Sequence, residues 1–376
     1  MHNSESSIDR PAYFPALDGV RAISVFFVMF EHVTTHPSML NHFHGWLGVD
    51  IFFVLSGFLI TGLLVREDQL NGVVDMTSFY VRRVFRILPL YWFVLAIYVL
   101  MLQPASQHVK WVQMRFALPY FLSFNNDIPL LLMPLKVGTV FGLSWTLGIE
   151  EKFYFVWPLL AFVVLRTARA RMRMAWLLYA STILLALFEF KMGRAYSGLI
   201  VGAIVALLLT GPHARLRAAA LQVPAWAIAL IVVIGFALVD LDIRFVFAFS
   251  WIIALMMSSL LLKPSWLSRG LANPVLAWLG KRSYAMYLIQ GFAMQTLHTR
   301  IQPHNALQEV LYTGACFALA ALGASILRVC IEEPARRMGK AVLARRGRKA
   351  TVGSPQALPV VPLALLQTAT GSNELS

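Results

Sequence analysis

Residues 17–32 have the sequence LDGVRAISVFFVMFEH, an apolar stretch interrupted by a few polar side chains. Arg21 and His32 are eleven residues apart, so on an α-helix they return to nearly the same face, roughly three turns apart. In lipid, a permanent cation and a titratable imidazole must each face protein, water or a ligand. The stretch therefore predicts a membrane-spanning helix that carries two functional side chains on one face. The alternative is that Arg21 extends to the lipid headgroups and His32 is a packed interior histidine.

The composition of the whole chain agrees with this interpretation. Of its 376 residues, 59% are hydrophobic and only 13% are charged, whereas a soluble protein has about 25% charged residues. The sequence thus predicts an all-α polytopic membrane protein. The formal net charge is +14. Because the basic residues cluster in short segments between apolar runs, the charge indicates membrane orientation and contact with the lipid bilayer, and no nucleic-acid partner is predicted.

About ten transmembrane helices are predicted, with both termini in the cytoplasm. In this topology the cytoplasmic segments hold 22 of the 32 Lys and Arg residues, the outer segments hold seven, and three lie within spans. This bias agrees with the positive-inside rule. Residues 112–124 are too short to span and are predicted to be interfacial or re-entrant, because an extra span there would place two later basic clusters outside. The ten spans are approximately 17–35, 45–65, 87–102, 141–165, 174–190, 195–210, 224–240, 244–262, 275–297 and 307–330.

Three parts of the chain are distinguished. Residues 1–16 are predicted to be a cytoplasmic N-terminal segment, residues 17–335 a transmembrane domain, and residues 336–376 a cytoplasmic tail that is first basic and then disordered.

Cys316 and Cys330 lie on one predicted helix, roughly 21 Å apart, which is too far for a disulfide. Their spacing matches no metal site, and no metal is predicted.

Two groups of titratable or charged residues are candidates for binding and catalysis at the predicted cytoplasmic and outer sides. His32 is suited to act as a general base towards a hydroxyl group, because an imidazole titrates near neutral pH. Arg82, Arg83 and Arg86 lie at the cytoplasmic start of the third span, and guanidinium groups there are suited to bind phosphate oxygens. The alternative for the three arginines is a plain positive-inside anchor.

Glu150 and Glu151 lie in an unusual stretch, GLSWTLGIEEKFYFVWP at residues 142–158. The predicted topology places them at the outer end of a span. Glu150 is a candidate partner of His32 or of a substrate hydroxyl, and Glu151 of Lys152 or of an arginine. Two adjacent carboxylates in so apolar a sequence favour a functional role. The alternative is an interfacial aromatic belt with satisfied ion pairs.

Six motifs, in order along residues 14–338, make the chain similar to the bacterial membrane-bound acyltransferase-3 family, which acylates sugars, exopolysaccharides and related alcohols. Each motif is weak alone, and the six together are specific. They are LDGVRA at 17–22 with His32, GVDIFFVLSGFLI at 48–60, FYVRRVFRILP at 79–89, SWTLGIEEKFY at 144–154, GKRSYAMYL at 280–288 and IEEP at 331–334.

The resemblance implies an O-acyltransferase in the bacterial cytoplasmic (inner) membrane. Its donor is expected to be acyl-CoA, most simply acetyl-CoA, and its acceptor a hydroxyl group of an extracytoplasmic glycan or lipid-linked saccharide. In the family, the residues equivalent to Arg21 and His32 are required, and those equivalent to Arg83 and Arg86 contact acyl-CoA. Members often carry a histidine where this chain has Gln290.

The sequence assigns provisional roles within this reaction. His32 is expected to act as a general base or as a transient acyl carrier, and Arg21 to position the donor or to stabilise developing negative charge. Glu150 and Glu151 are expected to orient His32 or to bind the acceptor. The remaining substrate-binding candidates are Asp50, Ser144 and Trp145.

Two other functions remain open at this level. One is the same chemistry on a small hydrophobic acceptor such as a macrolide or a lipid. The other is a transporter that uses Arg21, His32 and Glu150 as a binding or proton-relay site without covalent chemistry. A transporter of this kind predicts internal repeats with broken helices, and the sequence shows no convincing repeat.

Overall fold

A computed structural model describes residues 14–33, 44–102, 108–132, 141–188, 191–210, 223–298, 300–301, 303 and 305–351, and the regular structure within these ranges is entirely helical. Fifteen α-helices are numbered here in chain order. The first eight are α1 (Pro15–Val33), α2 (Leu47–Asn71), α3 (Met76–Met101), α4 (His108–Leu122), α5 (Ile128–Leu132), α6 (Trp145–Pro158), α7 (Ala168–Leu187) and α8 (Lys191–Thr210). The others are α9 (Ala225–Leu241), α10 (Val246–Leu262), α11 (Trp266–Leu271), α12 (Pro274–Gly280), α13 (Ser283–His298), α14 (Ala306–Leu327) and α15 (Glu333–Thr351).

Five helical stretches in the described part of the chain are long and apolar enough to cross a membrane: Leu47–Asn71, Met76–Met101, Ala168–Leu187, Ile243–Leu262 and Leu307–Arg346. Two shorter apolar helices cover Arg194–Thr210 and Ala225–Leu241. These segments confirm an all-helical protein of the membrane type. The count of ten spans and the cytoplasmic placement of both termini stay predictions.

The segment predicted to be interfacial or re-entrant forms α4, which has 15 residues. A helix of this length is roughly 22 Å long, shorter than the hydrocarbon core of a bilayer. Its side chains Met114, Ala117 and Phe121 are buried in the same apolar core as α1, α3 and α13. The segment is therefore a short helix packed against the bundle.

Close helix crossings bring the functional helices together. A Cβ atom added at Gly57 of α2 would lie 1.9 Å from the carbonyl oxygen of Leu199 in α8, and one at Gly280 of α12 would lie 1.9 Å from that of Asp18 in α1. Only glycine permits such a close backbone approach. These crossings fix the position of α1 and α2, the two helices that carry Arg21 and Ser56.

The basic segment that begins at residue 336 continues the helical structure as α15. This helix packs against α3, where Gly339 lies against Phe85, and Arg346 Nη1 lies 3.3 Å from Asp75 Oδ1 just before α3. Residues 1–13 and 352–376 lie outside the described residues. The disorder predicted for the end of the tail stays a prediction, and its basic part is an ordered helix.

Candidate active site

A cavity of about 110 Å³ lies between α1, α2, α3, α6 and α13. Five charged residues line it: Arg21, Arg83, Arg86, Glu150 and Glu151. The remaining polar lining consists of Ser56, Thr146, Tyr154, Ser283, Tyr284 and Tyr287, and the rest is apolar. Charged groups within an apolar bundle are costly unless they are paired or serve a ligand, so this cavity is the candidate site.

Helical spacing explains how each element presents its polar groups to the cavity. Arg83 and Arg86 are three residues apart on α3, and Glu150 and Tyr154 are four apart on α6, so each pair shares one helix face. The side chain of Asp75 accepts a hydrogen bond from the backbone N–H of Ser78 at 3.0 Å, which caps the start of α3. The cap stabilises the start of α3, about two turns before Arg83.

The guanidinium group of Arg83 lies over the ring of Tyr154, with its Cζ atom 3.5 Å from the ring centre. This contact satisfies the flat face of the guanidinium and leaves its edge free to donate hydrogen bonds. Indeed, Nε of Arg83 is buried without a hydrogen-bond partner. The cavity therefore contains an unused cationic donor.

Arg86 lines the same cavity but is solvent-exposed. Its electrostatic neighbours include three cations, Arg21, Arg83 and Arg336, and the carboxylate of Glu332. The carboxylates of Glu332 and Glu151 offset part of this positive charge, and an anion that binds between the guanidinium groups offsets more of it. Since Arg86 is exposed, an anion can reach this end of the cavity from outside the bundle.

The two carboxylates of the cavity differ in their partners. Glu150 Oε1 accepts hydrogen bonds from the Ser56 hydroxyl and, at 3.1 Å, from the Tyr154 hydroxyl. Glu151 interacts electrostatically with Arg83 and Arg86. Of the two partners predicted for Glu151, the arginine is thus the one observed.

Lys152 points elsewhere, although it follows Glu151 directly in the sequence. Its Nζ atom lies 2.5 Å from Asp127 Oδ1, in the segment between α5 and the end of α4. The suggested pair between Glu151 and Lys152 is therefore not formed. Residues one apart on a helix point about 100° apart, so Lys152 faces this covering segment while Glu151 faces the cavity.

Glu150 and Glu151 share one cavity with Arg83 and Arg86, so the predicted separation of the carboxylates at the outer end from the arginines at the cytoplasmic end is not found. The start of α6 is covered by the preceding segment: Asn126, 1% exposed, donates to Ser144 Oγ at 2.7 Å and to the Tyr91 hydroxyl at 2.8 Å. Because α6 begins inside the protein, its sixth and seventh residues reach the level of Arg83. The sequence places α6 in the chain but does not show where along the bundle it starts.

Several predicted site residues lie away from this cavity. His32 is partly buried at the far end of α1, roughly 16 Å along the helix from Arg21, and does not line the cavity. Asp50 is buried within electrostatic reach of Arg194. Trp145 packs into the apolar core around α6 and α8. Arg82 is exposed, with Nη2 3.8 Å from Glu67 Oε2.

Ser144, the third substrate-binding candidate, belongs to the hydrogen-bonded cluster with Asn126 and Tyr91. It also lines a second, smaller cavity of about 10 Å³ near α13. The roles assigned to all of these residues from the sequence stay predictions. What the structure adds is that Arg21, Arg83, Arg86, Glu150 and Glu151 share one space.

Sequence reasoning missed the aromatic and hydroxyl part of the cavity wall. Tyr154 supports both Arg83 and Glu150, and the Tyr287 hydroxyl lies 2.6 Å from Thr146 Oγ1 while donating to the Leu143 carbonyl. Tyr154 is four residues after Glu150, a spacing that signals a shared helix face. Ser56 of α2 also belongs to this wall, and its hydroxyl donates to Glu150.

Metal chemistry has no visible site in the part of the chain that the structure describes. No group of three or more His, Cys, Asp or Glu side chains there is arranged to hold a metal ion. Cys316 and Cys330 are free thiols.

Together, the fold and the cavity define a class: an apolar helical protein of the membrane type with arginines and carboxylates gathered inside the bundle. The sequence profile of the acyltransferase-3 family, described as an acyltransferase domain, matches residues 14–329. The chain therefore belongs to this family. No solved structure matches it.

Three relatives illustrate what this chain is similar to. It is 28% identical over 335 residues to a provisionally named O-acetyltransferase of Staphylococcus aureus, a match that covers 76% of this chain and 52% of that protein. It is 28% identical over 371 residues to the peptidoglycan O-acetyltransferase OatA of Listeria monocytogenes, with 87% and 56% covered. It is 32% identical over 179 residues to YrhL of Bacillus subtilis, provisionally named a peptidoglycan O-acetyltransferase, with 43% and 26% covered. The chain spans about half the length of the first two relatives.

Proposed function

We propose that this chain is a membrane O-acetyltransferase that moves an acetyl group from cytoplasmic acetyl-CoA to a hydroxyl group of an extracytoplasmic glycan of the peptidoglycan type, in the bacterial cytoplasmic membrane. The observation that carries the proposal is the buried, unpartnered Nε donor of Arg83 in a cavity that Arg21 and Arg86 also line. The names of the relatives support the acetyl group and the glycan acceptor.

The donor enters at the exposed arginine. Arg86, with Arg83 behind it, binds the phosphates of CoA, because guanidinium groups bind phosphate oxygens through two parallel hydrogen bonds. The flexible pantetheine arm then carries the thioester along the cavity, past Arg21 and towards the end of α1 that holds His32. Arg21, which pairs with Asp18 at 3.2 Å, supplies positive charge that holds the donor in the cavity.

The reaction joins the acceptor oxygen to the acetyl carbon. The hydroxyl oxygen attacks the thioester carbonyl, the carbon–sulfur bond breaks, and the products are the O-acetyl ester and the free thiol of CoA. His32 takes the hydroxyl proton and returns it to the leaving sulfur, so no proton is gained or lost overall. Arg21 lies roughly 16 Å along α1 from His32, so it positions the donor and does not contact the reacting carbonyl.

The carboxylates hold the arginines in place for this task. Glu150 is fixed by Ser56 and Tyr154, and Tyr154 in turn supports the Arg83 guanidinium. Such a chain of contacts keeps Arg83 in one orientation before the donor arrives, which reduces the cost of ordering it on binding. The family membership favours this enzymatic function over the transporter.

The test uses the full chain in nanodiscs with acetyl-labelled acetyl-CoA and the disaccharide N-acetylglucosaminyl-N-acetylmuramic acid. The wild type is expected to form labelled ester, and His32→Ala to lose at least a hundredfold in transfer rate while still binding acetyl-CoA. His44→Ala is the matched control, because His44 pairs with Asp240 at 2.7 Å and does not line the cavity. A wild type that neither binds acetyl-CoA nor forms ester rules out the proposal.

A further inference from the structure

The side chain of Gln290 is an unexplained polar group in the interior. The residue is 0% exposed, and both its Nε2 and Oε1 atoms are buried without a hydrogen-bond partner. A buried amide that makes no hydrogen bonds is unfavourable, because it has lost its bonds to water and gained none. A ligand that supplies both a donor and an acceptor removes this penalty.

Gln290 faces the smaller cavity near α13, whose volume is about 10 Å³. This volume is close to the space that a single water molecule or a single hydroxyl group needs. The polar groups around it are Tyr98, Ser144 and Tyr287, beside Gln290 itself. Tyr287 also lines the larger cavity, so the two cavities are neighbours that share one wall.

The order of residues along α13 places Gln290 between the two ends of the proposed reaction path. Tyr284 and Tyr287 line the larger cavity with Arg21. One turn further on, Gln290 lines the smaller cavity. One to two turns beyond that, Met294 and Leu297 pack against a cluster that contains Val33, the residue next to His32. The direction from Arg21 to His32 along α1 is thus the direction from Tyr284 to Leu297 along α13.

We propose that Gln290 binds a hydroxyl group of the carbohydrate acceptor in the smaller cavity, an inference that rests on the function proposed above. A hydroxyl group donates one hydrogen bond and accepts others. It donates to Oε1 of Gln290 and accepts from Nε2, which satisfies both unpartnered atoms. The bound hydroxyl is a neighbour of the reacting one, whose single proton stays available to His32. A neutral amide neither gains nor loses a proton here, so Gln290 orients the acceptor and leaves proton transfer to another group.

The experiment measures the KM for the acceptor in the full chain, in nanodiscs, at saturating acetyl-CoA. The probe is the disaccharide N-acetylglucosaminyl-N-acetylmuramic acid. Gln290→Leu keeps the approximate volume and removes both polar atoms, so its KM for the disaccharide is expected to rise at least tenfold. Gln290→Met is a second variant with an unbranched side chain, for the case in which the branched leucine does not fit. Thermal unfolding and acetyl-CoA binding report whether each variant is folded.

Gln113→Leu is the matched control, because Gln113 of α4 also has a buried side-chain oxygen without a partner and lines neither cavity. Its KM is expected to equal that of the wild type. A folded Gln290 variant whose KM stays within twofold of the wild type overturns the inference. If that variant also has a lowered unfolding temperature, the result indicates that Gln290 binds a structural water instead. A wild type that transfers no acetyl group overturns the proposed function and this inference together.

Discussion

The Arg83 guanidinium lies flat against the Tyr154 ring, 3.5 Å from its centre, and the hydroxyl of the same tyrosine donates to Glu150. Tyr154 therefore links Arg83, the cation proposed to bind the donor, to Glu150, which lies on the same helix as Tyr154. The ring covers one face of the guanidinium, so the group can present only its edge and its other face to a ligand. Arg83 is thus oriented before any ligand arrives.

Removing the two cavity arginines of α3 is expected to weaken donor binding. Hydrogen bonds to charged groups contribute about 1.5–3 kcal/mol each, so Arg83→Ala/Arg86→Ala should bind acetyl-CoA at least a hundredfold more weakly. Isothermal titration of the protein in nanodiscs measures this affinity. Arg82→Ala is the control, since Arg82 is exposed, lies near Glu67 and does not line the cavity. Equal losses of acetyl-CoA affinity in Arg82→Ala and in the double variant would show that the arginines act only as a membrane anchor.

Neutralising Glu150 is expected to separate donor binding from catalysis. Glu150→Gln removes a negative charge that acts on Arg83, so the cavity becomes more positive and should bind the phosphates of acetyl-CoA as tightly as the wild type or more tightly. The rate of acetyl transfer should fall at least tenfold, because Arg83 and Tyr154 lose the carboxylate that orients them. Titration and a labelled-ester assay on the same preparation test both effects.

Asp240→Asn is the corresponding control for that experiment, since Asp240 is an exposed carboxylate that pairs with His44 and lies outside the cavity. It should transfer acetyl groups at the wild-type rate. A Glu150→Gln variant with an unchanged transfer rate would show that this carboxylate has no part in the reaction.

The crossing of α2 and α8 predicts a large difference between two glycines of one helix. In Gly57→Ala the new Cβ atom would lie 1.9 Å from the Leu199 carbonyl oxygen, so the helices must separate, at a cost of about 1–3 kcal/mol. At Gly62 of the same helix no atom lies within 4 Å of the added Cβ, so Gly62→Ala should be neutral or stabilising by up to about 1 kcal/mol. Thermal unfolding in detergent compares the two. Equal midpoints would contradict the close crossing.

The cap of α3 predicts a pH-dependent contribution to stability. Hydrogen bonds from Ser78 and the nearby Arg346 lower the pKa of Asp75 below its usual value of 3.8. Because the folded-state pKa is the lower one, the stabilisation is fully present above the unfolded-state value and is lost as the pH falls through the folded-state pKa. Asp75→Ala should therefore be less stable than the wild type by about 1 kcal/mol at neutral pH.

Asp75→Ala also shows in which direction the contribution of the cap to stability changes in acid. The difference in unfolding midpoint between Asp75→Ala and the wild type should shrink as the pH falls below about 4. Asp75→Asn is the control, because asparagine also caps helices and carries no charge, so it should be close to the wild type and insensitive to pH. A difference that grows in acid would exclude the capping carboxylate as its cause.

Much of the fold follows from local patterns in the sequence. Apolar runs and the scarcity of charge predict helices of the membrane type, and such helices are found. The spacing of Arg83 and Arg86 correctly places both on one side of α3, since helical periodicity depends only on neighbouring residues. The family motifs point to the same helices that form the cavity, and the match over residues 14–329 confirms that resemblance.

The contents of the site were predicted only in part. Arg21 and the two carboxylates were chosen because charge in an apolar sequence is costly, and all three line the cavity. Tyr154, Tyr284 and Tyr287 were not chosen, because tyrosine is common in membrane proteins and carries no charge to distinguish it. His32 lies on the predicted helix but roughly three turns away from the residues that gather at Arg21.

The sequence alone determined that this protein is a helical bundle of the membrane type, and it determined which residues of each helix share a face. These properties depend on side-chain chemistry within one or two turns. Only the tertiary structure decided that Glu150 faces Ser56, that Lys152 turns to Asp127, and that Gln290 has no partner. Those contacts join residues from 25 to 94 positions apart or depend on a cavity, and they follow from how deep each helix begins and where glycines allow helices to touch. The periodicity of a single segment encodes neither the depth at which a helix begins nor the partner that it crosses.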